Sequence, residues 1–117
     1  MKKTYEQYLK MGMDEKTARY FAGGRRRVTA VVPSAGYVLT LTFDNGEKRT
    51  LDCASEFVEG SLFNRLAAPE DFGRVFVDAS GNIAWDIDPH IDSEKVWSNR
   101  IDFCRDSCYL KSVPVKP

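Results

Sequence analysis

The stretch Tyr37-Val-Leu-Thr-Leu-Thr-Phe-Asp-Asn-Gly-Glu-Lys-Arg-Thr-Leu-Asp-Cys53 decides the fold of this chain. Apolar and polar residues alternate as far as Phe43, so every second side chain shares one face, which is typical of a half-buried β-strand. The sequence Asp44-Asn45-Gly46 that follows is typical of the turn of a β-hairpin. The stretch therefore predicts two antiparallel strands joined by a tight loop.

The length of this loop follows from the residues that would face each other across the hairpin. A two-residue Asn-Gly loop would place Leu39 opposite Asp52, which opposes an apolar side chain to a charged one. A three-residue loop would place Leu39 opposite Leu51 and would join the apolar side chains on one face. We therefore predict a three-residue loop in which Gly46 is a left-handed bulge residue.

Length and composition restrict the class of protein. The chain has 117 residues, 43% of them hydrophobic, and a formal net charge of zero. This length fits one domain, and the balanced charge argues against a dedicated nucleic-acid binder, which is usually strongly basic. No apolar run approaches the roughly 20 residues that cross a bilayer. The three cysteines, an odd number, favour a reducing compartment, so we expect a cytoplasmic protein without membrane contact.

Two short helices are predicted before the first strand. Thr4 and Gln7 fit a capping box, Asp14 is a second N-cap candidate, and Gly23-Gly24 ends the second helix. Helices this short are not stable alone and must dock on the rest of the protein. We therefore predict an N-terminal helical extension over residues 1–24 and a single α+β domain over residues 25–117.

The rest of the sequence predicts further strands and helices, and together they indicate the fold class. It predicts a strand at Val28–Val32 and a turn at Pro33–Gly36. It also predicts a short helix capped by Ser61 and ending at Leu66, and a second hairpin with strands at Arg74–Asp78 and Ile83–Asp86. The last third of the chain has little regular pattern. The expected fold is α+β, a small antiparallel β-sheet meander with short helices, preceded by the two short N-terminal helices.

The segment Asp86–Glu94 gathers four carboxylates and the only histidine, His90. Clustered oxygens suit a divalent cation, but the EF-hand pattern fails because Ile91 occupies the position of the turn glycine. A small metal- or ligand-dependent enzyme that uses His90, Asp88 and Asp92 is therefore an alternative hypothesis rather than the favoured one.

The cysteines offer a second metal hypothesis. Cys104 and Cys108 are separated by three residues, and a zinc site would need Cys53 and His90 from distant segments. Free thiols are the more ordinary state. The chain also lacks a Gly-x-Ser-x-Gly motif and a nucleotide-binding glycine loop. We therefore expect no catalytic residues, no metal and no cofactor, and we predict that the protein is not an enzyme.

The two tryptophans are expected to have different roles. Trp85 alternates with Ile83 on a predicted strand, which places both side chains in the core. Trp97 lies in an irregular segment among polar residues, which makes it the better candidate for contact with a partner.

A basic triplet, Arg25–Arg27, follows the second predicted helix. Such a triplet can contact phosphates, so a nucleic-acid accessory protein is another alternative, although the balanced charge makes nucleic acid the less favoured partner. Tyr20 is an aromatic residue on the second helix that needs a packing partner. The candidate interaction residues are Trp97, Arg25, Arg26, Arg27 and Tyr20.

Several of these segments together resemble a known family. The segments Tyr37–Asp52, Gly60-Ser-Leu-Phe63 with Leu66, Phe72-Gly-Arg-Val-Phe-Val-Asp78 and Gly81-Asn-Ile-Ala-Trp85 are similar to the small bacterial proteins grouped as "domain of unknown function 2442". The resemblance covers roughly residues 28–109. It implies a small α+β domain with an antiparallel sheet, and it supplies no catalytic residues.

The resemblance also bears on partners, because some relatives resemble members of toxin–antitoxin-like gene pairs. We therefore interpret the chain as a non-catalytic protein-interaction module of antitoxin-like character. Its expected partner is a small protein or, in a homodimer, a second copy of the chain.

Overall fold

The computed structural model describes residues 3–54 and 65–115. In chain order, the elements are α1 (Tyr5–Lys10), α2 (Glu15–Ala22), β1 (Val28–Ser34), β2 (Val38–Phe43), β3 (Lys48–Asp52), α3 (Pro69–Phe72), β4 (Phe76–Val77), β5 (Ile83–Asp86), a 3₁₀ turn (Trp97–Asn99), β6 (Arg100–Phe103), α4 (Arg105–Lys111) and β7 (Val113–Pro114). Within these residues the strands form two antiparallel sheets, ordered β1-β2-β3-β7 and β4-β5-β6. The α+β class is confirmed, and each sheet contains a three-stranded meander.

The N-terminal helices begin where the capping residues predict. The backbone N–H of Gln7 donates to Thr4 Oγ1 at 3.2 Å, and Thr4 N–H donates to Gln7 Oε1 at 2.8 Å, which completes the capping box. Asp14 Oδ1 accepts a hydrogen bond from the backbone of Thr17 at 2.7 Å. Gly24 follows α2 with a φ of +96°, a left-handed conformation that suits glycine.

The first hairpin has the predicted register. Leu39 faces Leu51, and Phe43 N–H donates to Glu47 O at 2.9 Å across a three-residue loop. Gly46 has a φ of +85°, as expected for the bulge position. Burial of the apolar face therefore sets the register, because a one-residue slip would turn that face to solvent.

The turn predicted at Pro33–Gly36 is present but begins two residues later than predicted. Strand β1 continues through Pro33, which faces Leu39, and the turn lies at residues 35–37. The physical reason is that β1 is an edge strand of its sheet, and an edge strand tolerates a residue without a backbone N–H. Tyr37 closes the turn with a φ of +62°, and its hydroxyl donates a hydrogen bond to Ala67 O.

The second hairpin forms around the predicted turn and its second strand has the predicted bounds, but its first strand is Phe76–Val77 rather than Arg74–Asp78. Val77 faces Ile83, and Asp78 N–H donates to Asn82 O at 2.9 Å. The carboxylate of Asp78 accepts a hydrogen bond from the backbone of Asn82 at 3.0 Å and so holds the turn. Gly81, in this turn, has a φ of +81°.

The last third of the chain is more regular than its pattern predicts. Strand β6 pairs with β5, with Ile101 facing Trp85, and β7 pairs with β3, with Val113 facing Thr50. These strands have four and two residues, which is too short for alternation to identify them. The chain therefore returns to the first sheet at its C-terminal end.

One core joins the two sheets. Its buried side chains are Val28, Leu39, Leu41, Phe43, Leu51, Cys53, Leu66, Phe72, Ile83, Trp85, Ile101 and Cys108. Trp85 is 1% exposed, and its indole Nε1–H donates to Phe72 O at 2.9 Å. The prediction that Trp85 belongs to the core is confirmed.

Helix α2 docks on α4, and α1 packs on α2 through the rings of Tyr8 and Phe21, whose centroids are 5.7 Å apart. The ring of Tyr20 stacks on the ring of Tyr109 with centroids 5.0 Å apart. Lys16 Nζ donates to Leu110 O at 2.6 Å. Tyr109 also meets Phe43 edge to face at 5.0 Å, so it connects the helices to strand β2.

The predicted helix capped by Ser61 lies outside the described residues, except for its last two positions, Arg65 and Leu66, of which Leu66 is 1% exposed. Across residues 3–54 and 65–115, none of the helices combines the length and the apolar character needed to cross a membrane.

Candidate interaction surface

Trp97 is the most exposed of the large apolar side chains in the described part of the chain, at 68%. It begins the 3₁₀ turn that leads into β6. Val96 and Ile91, in the same loop, are also exposed. Since folding leaves these three side chains in water, they are available for contact with another molecule.

Buried polar groups hold the loop that carries Trp97. Asn99 is 8% exposed, and its amide nitrogen donates to Asp88 O at 3.0 Å and to Ile91 O at 2.6 Å. Its amide oxygen accepts from Asp88 N–H at 2.9 Å, and its backbone oxygen accepts from Ile87 N–H at 2.7 Å. These hydrogen bonds tie the loop to Asn99 and restrain its conformation.

Arg100 lies beneath the indole ring of Trp97. Its guanidinium carbon is 5.1 Å from the centre of that ring and 5.5 Å from the centre of the Phe76 ring, within the range of cation–π contacts. The guanidinium donates to Glu94 Oε1 at 2.6 Å and to Ser93 Oγ at 3.0 Å. Trp97 is thus exposed on one face and supported on the other.

The neighbouring carboxylates of Glu94 and Asp78 favour the charged form of Arg100. The hydrogen bond to Glu94 raises the pKa of Arg100 above its usual value, although burial opposes this, and the charge of Asp78 adds to the increase. The side chain of Arg100 is only 5% exposed. The guanidinium is therefore a permanent cation, which the face of an indole ring attracts.

Acidic side chains border the exposed apolar residues. Asp88, Asp92 and Glu94 are exposed, with Lys95 as the basic residue among them. We call this region the Trp97 surface, and it consists of Ile91, Val96 and Trp97 with an acidic rim of Asp88, Asp92 and Glu94. Such a surface can bind an apolar group that is flanked by positive charges.

The residues proposed for metal binding or catalysis lie in two places: Asp88, His90 and Asp92 share the loop before the 3₁₀ turn, whereas Cys53 and Cys108 lie in the core. His90 and Cys104 are exposed, whereas Cys53 and Cys108 are buried. Burial raises the pKa of the Cys108 thiol, so this thiol stays protonated. Residues 3–54 and 65–115 contain no group of three or more His, Cys, Asp or Glu side chains placed to hold a metal ion. The enzyme hypothesis for His90 stays a prediction.

Tyr20, a candidate interaction residue, is only 7% exposed. Its hydroxyl donates to Asp106 Oδ1 at 2.6 Å and accepts from Arg26 N–H at 2.9 Å. Arg25 Nη2 lies 2.7 Å from Asp106 Oδ2. Burial disfavours the charged form of Asp106, but the hydrogen bonds from Arg25 and Tyr20 outweigh it and lower the pKa of Asp106. Tyr20 therefore joins α2 to α4 inside the protein.

The arginine triplet is divided among different partners. Arg25 pairs with Asp106, Arg26 lies 3.7 Å from Asp44, and Arg27 donates to Ala79 O at 2.7 Å. The structure therefore brings Tyr20, Arg25 and Arg26 together around Asp106. Trp97 lies apart from them and packs on Arg100. The other four candidates, Tyr20 and Arg25–Arg27, therefore lie outside the Trp97 surface.

The sequence does not reveal the supporting residues Ser93, Asn99 and Arg100. Asn99 and Ser93 are polar residues in a polar segment, and nothing in their spacing distinguishes a buried side chain from a solvated one. The short alternation over Arg100–Phe103 is the one available signal, and it indicates a strand rather than a contact with Trp97.

A family model described as a protein of unknown function (DUF2442) matches residues 28–102. The matched range includes the Trp97 surface and both meanders as far as Asp102 in β6, and it leaves α1, α2, α4 and β7 outside. No curated protein and no solved structure matches the chain.

Proposed function

This chain belongs to the DUF2442 family of proteins of unknown function, and we propose that it is a non-catalytic protein-interaction module. The observation that carries this proposal is the 68% exposure of Trp97 on a fixed loop. An indole ring left in water by folding gains free energy when a partner covers it. Tryptophan is also among the residues that most often dominate the free energy of protein–protein binding.

The rigidity of the loop supports the same conclusion. Binding is weakened when a loop must lose conformational freedom at the interface. Here the hydrogen bonds of Asn99 and the contacts of Arg100 already hold the loop and the indole ring in the free protein. The entropic cost of presenting Trp97 to a partner is therefore small.

Charge indicates the chemistry of the partner. The acidic rim favours a protein whose apolar pocket is bordered by lysine or arginine side chains. In a symmetric homodimer built on this surface, the two acidic rims would face each other and repel. We therefore propose a different protein as partner. The narrower form of this proposal, supported by the family resemblance, is an antitoxin-like role with a small toxin-like partner.

The compartment is part of the proposal. Cys53, Cys104 and Cys108 are free thiols, which suits a reducing environment such as the cytoplasm. The partner is accordingly expected among cytoplasmic proteins.

Affinity capture from the source cell tests the proposal. The baits are the wild type, Trp97→Ala and the control Met11→Ala, in which another exposed apolar side chain (57%) is truncated. We expect the wild type and Met11→Ala to retain a specific protein and Trp97→Ala to lose it. With the purified pair, calorimetry should show a loss of about 2 kcal/mol or more for Trp97→Ala, close to a 30-fold weaker affinity.

Two outcomes of this capture would contradict the proposal. Equal retention by Trp97→Ala would remove Trp97 from the interface. Equal loss with Met11→Ala would show that general hydrophobic adhesion holds the captured protein.

A second experiment tests the acidic rim. The carboxylates of Asp88 and Asp92 accept hydrogen bonds from the backbones of His90 and Glu94, both at 2.9 Å. Asp88→Asn and Asp92→Asn keep the accepting oxygen and remove the charge. We expect both variants to associate more slowly with the partner than the wild type does, and we expect their association rate to depend less on salt concentration. An unchanged salt dependence would show that the rim does not contact the partner.

A further inference from the structure

We propose that a second site in this protein, separate from the Trp97 surface, binds a small phosphate-type oxyanion. The site is a cleft of about 450 Å³ lined by Arg25, Arg27 and Arg105 together with Ser80 and Asn82. We call it the arginine cleft. Its volume lies in the range of about 300–1,000 Å³ that is typical of small-molecule sites.

The fold brings these arginines together from separate parts of the chain. Arg25 and Arg27 precede β1, whereas Arg105 begins α4. The stem of Arg27 passes directly over Gly81, where an added Cβ would lie 2.7 Å from Arg27 Cβ. Gly81 also has a φ of +81°, so a side chain at this position would be strained as well as crowded. A glycine at position 81 therefore allows Arg27 to line the cleft.

The turn at residues 79–82 holds two of the arginines through neutral groups. Arg27 Nη2 donates to Ala79 O at 2.7 Å, and Arg105 Nη1 donates to Ser80 O at 3.5 Å. The backbone N–H of Arg105 donates to Asn82 Oδ1 at 2.9 Å. Because carbonyl and amide oxygens carry no net charge, these contacts position Arg27 and Arg105 without neutralising them.

The cleft is therefore positively charged. Its one ion pair in the described part of the chain joins Arg25 to Asp106 at 2.7 Å, and the lowered pKa of Asp106 keeps that carboxylate ionised at neutral pH. The nearby Asp78 is paired with Arg100 at 3.7 Å. Three guanidinium groups face the carboxylates of Asp106 and Asp78, and Asp78 shares Arg100 with Glu94. The cleft therefore carries a net positive charge, which attracts a phosphate dianion.

The chemistry of arginine favours phosphate over a simple halide ion. A guanidinium group carries five N–H donors in a planar fork that matches the oxygens of phosphate. The balanced charge of the whole chain does not provide the extended basic surface that a long nucleic acid requires. A compact phosphate, either free or as the monoester of a small molecule, fits the cleft best.

Titration calorimetry with inorganic phosphate and with glycerol phosphate tests this proposal. We expect Arg27→Ala and Arg105→Ala each to weaken the affinity about tenfold or more. Arg19→Ala is the matched control, because the Arg19 side chain is 70% exposed and its partner is Glu15, outside the cleft. This control should bind like the wild type. Tighter binding of glycerol phosphate would identify a monoester as the ligand, and equal binding would identify free phosphate.

Arg27→Lys and thermal unfolding separate binding from folding. Arg27→Lys keeps the charge and loses the fork, so it should bind with an affinity between those of the wild type and Arg27→Ala. If Arg27→Ala unfolds, the test rests on Arg105→Ala and Arg27→Lys.

Three results would overturn the proposal. The first is the absence of binding to the wild type at ligand concentrations up to about 10 mM. The second is an equal loss in Arg19→Ala, which would indicate general electrostatic attraction. The third is tighter binding of duplex DNA that depends on the same arginines, which would identify a nucleic-acid interface instead.

Discussion

Trp85 and Trp97 belong to the same part of the fold, but they have opposite environments. Trp85, on β5, is 1% exposed, and its indole N–H is bonded to Phe72 O. Trp97, just before β6, is 68% exposed and rests on the guanidinium of Arg100. Apolar core surrounds the first ring, whereas a charged network supports the second.

This difference separates two uses of the same residue type. Burial of Trp85 is complete when the chain folds, so its hydrophobic free energy contributes to the stability of the free protein. Burial of Trp97 requires a second molecule, so most of its free energy is available for binding. Substitution of Trp85 should therefore change the free energy of unfolding, whereas substitution of Trp97 should change the free energy of binding to a partner.

The largest effect is expected for Trp85→Ala. Removing a fully buried indole leaves a cavity and should lower the free energy of unfolding by about 3–5 kcal/mol, which is comparable with the whole stability of a small domain. Urea denaturation measures the loss. Trp85→Phe, which keeps a ring but removes the hydrogen bond to Phe72 O, should lose less. A change below about 1 kcal/mol in Trp85→Ala would show that Trp85 is not a core anchor.

The next largest effect is expected for Asn99→Ala. This change removes the amide that bonds Asp88 and Ile91 and should cost about 1–3 kcal/mol of stability. It should also increase hydrogen exchange at the Ile91 amide, because the loop loses its support. Ser98→Ala, at the exposed neighbouring position, is the control and should change stability by no more than about 0.5 kcal/mol. Unchanged exchange at Ile91 would show that Asn99 does not fix the loop.

Gly46→Val tests a turn that lies away from both tryptophans, and its effect on stability can be compared with theirs. Nothing lies within 4 Å of a Cβ added at Gly46, so the cost comes from the left-handed φ of +85° rather than from crowding. We expect a loss of about 1 kcal/mol or more, measured by thermal unfolding. Gly46→Asn should cost less, because asparagine tolerates this conformation. An unchanged melting temperature in Gly46→Val would refute the bulge.

The smallest effect on stability is expected for Trp97→Ala. The free protein loses only the contact between the indole and Arg100, worth about 1 kcal/mol or less. Urea denaturation of Trp97→Ala beside Trp85→Ala measures the contrast directly. Severe destabilisation of both variants would make Trp97 a second core anchor and would remove the main support for the interaction surface.

The elements that could be predicted from the sequence are those set by local pattern. The alternation from Tyr37 to Phe43 and the position of Leu51 were enough to predict the register of the first hairpin. Thr4 and Asp14 marked the starts of both N-terminal helices, because capping depends on residues a few positions apart. The boundary at Pro33 was missed because tolerance of proline depends on whether the strand lies at a sheet edge, which is a tertiary property.

The supporting residues of the two proposed sites could not be predicted in the same way. Asn99 and Arg100 act through atoms in the preceding loop, and Arg105 reaches the turn at residues 79–82 across the fold. These contacts exist only after the sheets have assembled. The sequence therefore identified Trp97 and Arg27 as candidates. It did not identify Asn99 and Arg100, which hold the Trp97 loop, or Arg105, which lines the arginine cleft with Arg27.

The stacking of Tyr20 on Tyr109 has a consequence for how the protein opens. Because Tyr109 also contacts Phe43, the detachment of α2 would uncover a ring that covers the β2 side of the core. Helices α2 and α4 should therefore open as one cooperative unit and not separately. In native-state hydrogen exchange, the amides of α2 and α4 should share one opening free energy, and Tyr109→Ala should lower it for both helices together.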